Sequence, residues 1–492
     1  MAAIWKKPLP DKIIYVIFCL GILLSLIQFI CNRSLWMDEA ALANVLINDT
    51  SAMLLKGLAN GQVAPILYLQ IEHVFVHLIP NTEYGLRLFP LLCYWASIYL
   101  FYKLLRHTFT DKFVIIFALS LYVFNGTLIY YSSEVKQYIT DVMVAIAICY
   151  FTVKNYRDEK NRYIVLAIAG AIGIFLSNVS PLLLSGAGLC LVIEYIKTKR
   201  NLSSLLIALG TWAIVFGVYF FCFVYHHPLK ETMLNYWTQA GGFMPLNKNF
   251  LMWTVNKFAA NFCFQFYCGR FVAILLAALL FAGIFYIIKK RLYRSLILLL
   301  LPLLLHLLLS GFKIYPFDTR LILYSTPLLI MIIIWGMFFL LRLGERVLKS
   351  GTFKWAILVI PILLICSIRS LPIIQHDDMR DCISYMKSRL EKTDNVYVTI
   401  SAAYQVQYYQ FINYFNPVKP VLYSGYIPRL EMQHKDEIAA LKKLQGRVWI
   451  LTLPRYHEET LIKNILDSAG YQQSASYTAN GIGYVTLFTP KK

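Results

Sequence analysis

Long apolar segments separated by short clusters of Lys and Arg are the feature that most constrains the fold of this chain. Of its 492 residues, 59% are hydrophobic and only 15% are charged, whereas about a quarter of the residues in a soluble domain are charged. A run of about 20 apolar residues is long enough to cross a bilayer as a helix. The sequence therefore predicts an α-helical polytopic membrane protein.

The positive charge of the chain supports a definite topology. The net charge of +20 comes largely from basic clusters between the apolar segments, as is typical of cytoplasmic loops. These clusters do not form one soluble face, so nucleic-acid binding is not indicated. Placing all of them in the cytoplasm makes the spans alternate without conflict and puts the C-terminal region outside. The predicted spans, about 11 in number, are 13–30, 84–102, 113–131, 135–153, 163–177, 181–196, 204–224, 271–288, 295–311, 321–341 and 355–372.

The region after the first span is apolar but carries too many polar side chains to cross the membrane. Counting residues 63–80 as a span would also invert every later basic cluster. We therefore expect two amphipathic helices, 38–57 and 64–78, on the outer membrane surface. They form a structured first extracytoplasmic loop, residues 31–83, within a transmembrane domain that covers residues 1–372.

Residues 373–492 differ in composition from the rest, because charge rises and long apolar runs stop. Helical and strand patterns alternate there, which predicts a small extracytoplasmic α/β domain with a largely parallel sheet. No glycine fingerprint follows a strand, so nucleotide binding is not expected. The predicted helices are 378–391, 435–445 and 457–469, and the predicted strands are 396–400, 421–423, 447–453 and 483–488.

Two adjacent carboxylates, Asp38 and Glu39, follow the first span almost directly. A charge at the edge of a membrane is costly unless it is solvated, paired or used. One interpretation is a helix N-terminus, capped by Ser34 or Asp38, with acid facing the helix dipole. The other is a catalytic acid pair at the membrane surface. The two residues alone leave both interpretations open.

A second polar stretch, residues 130–141, passes from an outer loop into a span. Ser132 or Ser133 can cap that helix, which places Lys136 in its first turn. A lysine beside the free N–H groups of a helix N-terminus makes a good phosphate site. The alternative is a surface pair between Lys136 and Glu134, although residues two apart do not face each other on a helix.

The last outer loop, residues 313–320, also ends in a cation, Arg320, at the outer end of the next span. Either Arg320 is a second anion clamp, or it pairs with Asp318 while its side chain extends toward the interface. Arg87 lies similarly near the outer start of its span, where an ordinary flanking arginine is the simpler interpretation. The topology places the acid pair and both cationic stretches at one depth, the outer membrane face. This combination suits a transfer reaction, since a phosphate leaving group needs cations and an acceptor needs a base.

Four stretches resemble the GT-C glycosyltransferases, on the branch that contains protein O-mannosyltransferases and aminoarabinose transferases. Each stretch is short and degenerate, but their order and topology agree with the family over the whole membrane region. A C-terminal extracytoplasmic α/β domain also occurs in this branch. The stretches are 35–39 (LWMDE), 62–68 with 83–87 (QVAPILY and EYGLR), 130–138 (YYSSEVKQY) and 315–320 (YPFDTR).

The resemblance implies an inverting glycosyltransferase with a polyprenyl-phosphate-linked sugar as donor. Asp38 would be the base, Glu39 would position the acceptor or support Asp38, and Lys136 and Arg320 would hold the lipid phosphate. No cofactor is implied, and no Asp-x-Asp follows Glu39 that would indicate a metal. The residues expected to contact substrate are Tyr131, Glu134, Tyr138, Arg87, Tyr315 and Asp318.

The expected partners are the lipid-linked donor, the bilayer and a cell-envelope acceptor, which is a glycolipid, a polysaccharide or a protein. The expected location is a bacterial inner membrane, with the active site outside the cytoplasm. The alternative is a transporter or flippase of lipid-linked sugars that makes no covalent product. Transporters place ionisable residues near the midplane of paired repeats, whereas here the charges lie at the outer edge and no repeat is evident.

Overall fold

The computed structural model shows a mainly helical chain with one small β-sheet. In chain order its first helices are α1 (Leu9–Ile30), α2 (Met37–Asn48), α3 (Ile66–Leu78), α4 (Glu83–Thr108), α5 (Lys112–Val123), α6 (Gly126–Tyr131), α7 (Tyr138–Asn155), α8 (Arg162–Leu176) and α9 (Ser180–Thr198). They are followed by α10 (Leu202–Tyr219), α11 (Lys230–Gln239), α12 (Phe250–Phe266), α13 (Arg270–Lys289), α14 (Tyr293–Gly311), α15 (Thr326–Leu348), α16 (Met379–Lys387), α17 (Ala403–Phe411) and α18 (Glu458–Ser468). The residues that the structure describes are 9–58, 60–80, 83–155, 162–225, 227–348, 378–412, 421–422, 441, 444–453, 458–479 and 483–491.

Among these described residues, seven helical segments are long and apolar enough to cross a membrane. They are Pro10–Ile30, Glu83–Thr108, Ser180–Thr198, Leu202–Val224, Arg270–Lys289, Tyr293–Gly311 and Thr319–Leu340. The prediction of a multi-pass helical membrane protein is thus confirmed. The predicted span 355–372 lies outside the described residues, and three other predicted spans correspond to shorter or more polar helices.

The predicted span 113–131 is divided into two helices. Helix α5 ends at Val123 and α6 begins at Gly126, and Asn125 lies between them. The Asn125 side chain accepts a hydrogen bond from the Leu128 N–H (3.0 Å) and donates one to the Gln265 carbonyl (2.8 Å). A side chain that caps a new helix and binds another element gives the chain a fixed bend.

Helices α13 and α15 approach each other closely through two glycines. A Cβ atom at Gly283 would lie 2.0 Å from the Ile332 carbonyl oxygen, and one at Gly336 would lie 1.9 Å from the Leu279 carbonyl oxygen. Small residues permit this kind of backbone approach between membrane helices. The contact fixes α15, which continues directly from a 3-10 turn, Thr319–Ser325.

The chain divides into two compact units, each of which is discontinuous in sequence. The helical unit contains Met1–Ile30, Ala64–Leu69 and Arg87–Pro372. The mixed unit contains Cys31–Val63, Gln70–Leu86 and Ile373–Lys492. Most of the residues between α1 and α4 therefore group with the C-terminal residues.

Helices α2 and α3 lie within the two segments predicted as amphipathic surface helices, with shorter bounds, but α2 is buried all round from Glu39 to Leu46 and is not amphipathic. Helix α2 ends at Asn48 rather than at residue 57, and a separate 3-10 turn follows at Met53–Leu55. Helix α3 begins at Ile66, directly after Pro65. The segment between the predicted spans 204–224 and 271–288 also has helical structure, namely α11 and α12.

The mixed unit holds a five-stranded sheet in the order β2-β1-β3-β5-β4. Its strands are β1 (Asn395–Val398), β2 (Val421–Leu422), β3 (Val448–Thr452), β4 (Tyr471–Ala479) and β5 (Gly483–Pro490). Strands β2, β1 and β3 are parallel, whereas β5 is antiparallel to both β3 and β4. The sheet is therefore mixed rather than largely parallel.

Two elements of the mixed unit were not predicted from the sequence. Strand β4 is polar and largely exposed, so it lacks the apolar alternation by which strands are recognised. Helix α17 is also absent from the predicted elements, although Tyr408 and Tyr409 within it are fully buried. The predicted helix 435–445 lies almost entirely outside the described residues.

Candidate active site

The acid segment, residues 31–39, lies in the mixed unit and leads into helix α2. The helix begins at Met37, and Trp36 occupies the N-cap position. The Trp36 N–H donates a hydrogen bond to Glu39 Oε2 (3.4 Å). The expectation that Ser34 or Asp38 would be the cap is therefore wrong, because the Glu39 side chain turns back to bind the helix start.

The two adjacent carboxylates have different environments. Glu39 is fully buried and accepts two hydrogen bonds from the buried Arg33 guanidinium, Nη1 to Oε2 at 2.5 Å and Nη2 to Oε1 at 3.0 Å. Such a bidentate arrangement is the strong form of a carboxylate–arginine contact. Asp38, in the first turn of the same helix, is only half-buried. Of the predicted acid pair, Glu39 holds the local fold and Asp38 keeps an accessible surface.

A hydrogen-bond network holds the chain just before the acid pair. The Tyr409 hydroxyl contacts Ser34 Oγ (2.9 Å), the Leu35 N–H (3.3 Å) and Glu83 Oε1 (3.3 Å). Arg380 contacts Glu83 Oε1 through Nη1 (3.2 Å) and the Asn32 carbonyl through Nη2. Three remote parts of the sequence thus fix the entry to α2 within the mixed unit.

The first cationic stretch lies in the helical unit, in a turn between α6 and α7. Helix α7 begins at Tyr138, so Lys136 precedes the helix instead of lying in its first turn. The Lys136 N–H donates to the Glu134 carbonyl (2.7 Å). Both side chains are buried, with Lys136 6% exposed and Glu134 fully covered. The turn therefore holds a lysine at the N-terminal end of a long helix.

Arg320 lies at the same end of α7. Its guanidinium carbon lies 5.7 Å from the centroid of the Tyr138 ring, within the range of a cation–π contact. The Tyr131 ring meets the Tyr138 ring edge-on, with centroids 5.4 Å apart. The structure thus brings together Arg320, Tyr138 and Tyr131, which belong to two separate polar stretches of the sequence, residues 130–141 and 313–320.

Asp318 has a different partner from the one considered in the sequence. It forms an ion pair with Lys257 of α12, and its Oδ1 accepts hydrogen bonds from the N–H and the hydroxyl of Thr319, both at 2.9 Å. Asp318 therefore caps the 3-10 turn that carries Arg320. The other two predicted contacts lie in the same unit: the Tyr315 ring lies 4.8 Å from His306, and Arg87 is buried near the start of α4.

Known proteins provide a partial match. Residues 63–224 match the family model described as dolichyl-phosphate-mannose-protein mannosyltransferase. That segment is about a third of the chain, and it includes Lys136, Tyr131 and Tyr138. The predicted resemblance to the protein mannosyltransferase branch of the GT-C enzymes is confirmed over this segment. No curated protein sequence matches the chain.

Solved structures of ArnT from Cupriavidus metallidurans are also similar to this chain, in the apo state and bound to undecaprenyl phosphate. Each comparison gives 12% sequence identity and a TM-score of 0.49. Each covers 96% of this chain and 97% of the ArnT chain.

Several residues that shape these sites were not among the sequence candidates. Arg33 had a usable signal, since an arginine on the predicted outer side, six positions before Glu39, needs a negative partner. Lys257 had a weaker one, as the lone charged residue of its helix. Tyr409 and Arg380 had none, because their partners lie more than 290 positions away.

Proposed function

We propose that this chain is an integral-membrane inverting glycosyltransferase. It transfers a sugar from a polyprenyl-phosphate donor to a cell-envelope acceptor on the extracytoplasmic side of the inner membrane. The observation that carries the proposal is that Arg320 lies over the ring of Tyr138. Tyr138 follows Lys136 by two residues, and both lie inside the segment that matches the mannosyltransferase family. Two cations from separate loops at one helix N-terminus suit a lipid phosphate.

The phosphate end of the reaction belongs to the helical unit. As the bond between the anomeric carbon and the phosphate oxygen breaks, its electron pair leaves on the phosphate. Lys136 and Arg320 stabilise that developing charge, and the positive end of the α7 helix dipole adds to the field. Tyr138 orients Arg320 by stacking, and Tyr131 supports the Tyr138 ring. Glu134, Arg87, Tyr315 and Asp318 complete the surroundings of the donor.

The proposed base is Asp38. Asp38 takes the proton from an acceptor hydroxyl or amine while the acceptor atom bonds to the anomeric carbon. A single displacement of this kind inverts the configuration of the sugar. Glu39 supports Asp38 indirectly, because its contact with Arg33 anchors the first turn of α2. The proposed roles need no metal, and among the described residues no group of three His, Cys, Asp or Glu side chains is placed to hold one.

The base is tested with Asp38→Asn and, as a matched control, Asp49→Asn at the other end of α2. The purified full-length protein in lipid nanodiscs is incubated with radiolabelled polyprenyl-phosphate pentoses and hexoses and an envelope extract from cells that lack it. Removing a general base lowers the rate about 10²- to 10⁴-fold. We expect that loss with Asp38→Asn and wild-type transfer with Asp49→Asn. Full transfer by the Asp38 variant would exclude it as the base.

The phosphate site is tested with Lys136→Ala and the exposed-lysine control Lys248→Ala. We expect a higher donor KM for the Lys136 variant alone, since it removes one charge that faces the lipid phosphate. An unchanged donor KM would remove Lys136 from the site. Movement of the labelled lipid across liposome membranes without any glycosylated product would instead favour the flippase function.

A further inference from the structure

We propose that Tyr409 and Arg380 are positioning residues for the proposed base Asp38, and that this is what the C-terminal region contributes to turnover. The inference rests on the proposed function, because it takes Asp38 as the base. It assigns a role to the network of Tyr409, Arg380 and Glu83 around residues 32–35. None of these three side chains is placed on the reacting atoms.

The Tyr409 hydroxyl uses its whole hydrogen-bonding capacity on this network. A phenol hydroxyl has one proton to donate and two lone pairs to accept with. It donates to Glu83 Oε1 and accepts from the Leu35 N–H and from Ser34 Oγ. Because Ser34 donates to Tyr409, its oxygen is available to accept from the Arg380 N–H at 3.4 Å. Each hydrogen bond in this network therefore has one donor and one acceptor.

Arg380 closes the same network from its other side. Its side chain bridges Glu83 and the Asn32 carbonyl, and the Asn32 side chain donates to Glu83 Oε2 (3.4 Å). Glu83 is 5% exposed and Tyr409 is fully buried. Hydrogen bonds that involve a charged group in a buried place are the strong ones. The ion pair between Arg380 and Glu83 is therefore part of the network that fixes the backbone of residues 32–35.

Helix α2 itself is held by the same C-terminal helix that carries Tyr409. The Asn44 side chain donates to the Tyr404 carbonyl (2.9 Å) and to Gln407 Oε1 (3.2 Å). Asp38 lies between these two anchor points, one before the helix and one in its middle. The position of the Asp38 carboxylate therefore depends on contacts with α17 both before and after Asp38 in the sequence.

The Tyr409 hydroxyl stays protonated in the neutral pH range. Burial raises the pKa of the Tyr409 hydroxyl, and the neighbouring Glu83 carboxylate raises it further. The hydroxyl therefore remains a donor to Glu83 throughout the neutral range. A misplaced base costs rate because the reacting atoms must meet in a narrow geometry.

The test compares Tyr409→Phe with Tyr471→Phe in the full-length protein in nanodiscs. Tyr471 is a matched control, because it is also buried in the mixed unit and its hydroxyl donates one hydrogen bond, to the Leu444 carbonyl (2.9 Å). Hydrogen–deuterium exchange of residues 31–39, kcat and donor KM are measured for both variants and for Arg380→Gln. Transfer uses the same radiolabelled polyprenyl-phosphate sugars.

We expect faster exchange at residues 31–39 and about a tenfold lower kcat, with donor KM unchanged, for Tyr409→Phe and Arg380→Gln. Tyr471→Phe should leave both the exchange and kcat at wild-type values. Unchanged exchange at 31–39 in the Tyr409 variant, or faster exchange with full kcat, would overturn the positioning role. An equal loss of kcat in the Tyr471 variant would also overturn it, since general weakening of the domain would then be the cause.

The Asp38→Asn result separates this inference from the proposed function. If Asp38→Asn is inactive and Tyr409→Phe is fully active, the base stands and the positioning role is wrong. If Asp38→Asn is fully active, the proposed base is wrong and the positioning role falls with it.

Discussion

The acid segment of the mixed unit and the cationic stretches of the helical unit use charge in opposite ways. In the acid segment, Arg33 and Glu39 are both buried and joined by two hydrogen bonds. In the cationic stretches, Arg320 is half-buried and lies over the face of Tyr138. A buried ion pair needs a partner for each charge, whereas an arginine over an aromatic ring is attracted by the negative face of that ring.

This difference separates charges that hold the fold from the charges to which we assign a substrate role. Glu39 and Asp318 bind protein groups, Glu39 through Arg33 and Asp318 through Lys257 and the Thr319 cap. Asp38 and Arg320 each lie next to one of these residues or within two positions of it. In both regions, a fixed carboxylate therefore accompanies a neighbouring group with an accessible surface. The predictions below test that division, in order of decreasing effect.

The largest effect is expected from Glu39→Gln, which leaves the Arg33 charge buried without its carboxylate. Breaking one side of a buried ion pair costs about 3–5 kcal/mol, and denaturant unfolding of the purified protein measures it. The double variant Arg33→Met with Glu39→Leu is the control and should recover most of that stability. A Glu39→Gln protein of wild-type stability that has lost transfer would show that Glu39 acts chemically.

The next effect concerns Arg320→Ala, which removes a charged hydrogen-bond donor from the proposed phosphate site. Hydrogen bonds to charged groups contribute about 1.5–3 kcal/mol, so donor KM should rise about 10- to 100-fold. The donor KM of Arg320→Lys should lie between those of the wild type and Arg320→Ala, because lysine keeps the charge but lacks the planar fork of arginine. The exposed Arg270→Ala is the control, and an equal KM change there would indicate a general surface-charge effect.

A smaller effect is expected at Tyr138, whose ring supports the Arg320 guanidinium. Tyr138→Leu removes the cation–π contact, worth about 0.5–2 kcal/mol, and should raise donor KM about 2- to 30-fold. Tyr138→Phe keeps the ring and should leave donor KM near the wild-type value. If both variants raise donor KM equally, the phenol hydroxyl rather than the ring face is the important group.

The smallest effect is expected from the ion pair between Lys257 and Asp318. The two side chains are 20% and 18% exposed, so water still reaches a largely covered pair. We expect a coupling near the upper end of the range of about 0.2–1 kcal/mol for exposed pairs. A double-mutant cycle with Lys257→Met and Asp318→Asn measures the coupling in the free energy of unfolding. Asparagine is chosen because its side-chain oxygen can still accept the hydrogen bonds from Thr319. A coupling well above this range would mean that the ion pair is more deeply desolvated.

Local patterns predicted many elements of the fold well. Helices α1, α8, α9, α13 and α14 begin and end within four residues of the predicted spans, because the apolar run that defines a membrane helix is contiguous in sequence. The break at Asn125 was missed, since its cause is a hydrogen bond to Gln265, which is 140 positions away. The antiparallel strand β5 was found, but its direction was not, because strand direction depends on the polar strand β4 beside it.

The candidate residues show the same division between what local sequence indicates and what distant contacts decide. The sequence by itself identified Asp38, Lys136 and Arg320 as charges at unusual places, since hydropathy and the positive-inside rule act locally along the chain. Only the tertiary structure decided that Glu39 is bound to Arg33, that Arg320 lies on Tyr138 and that Tyr409 holds the entry to α2. Those contacts join residues between 6 and 375 positions apart, and the folded chain selects them by burial and hydrogen-bond geometry. A local pattern carries a signal for Arg33, but none for the two contacts between distant residues.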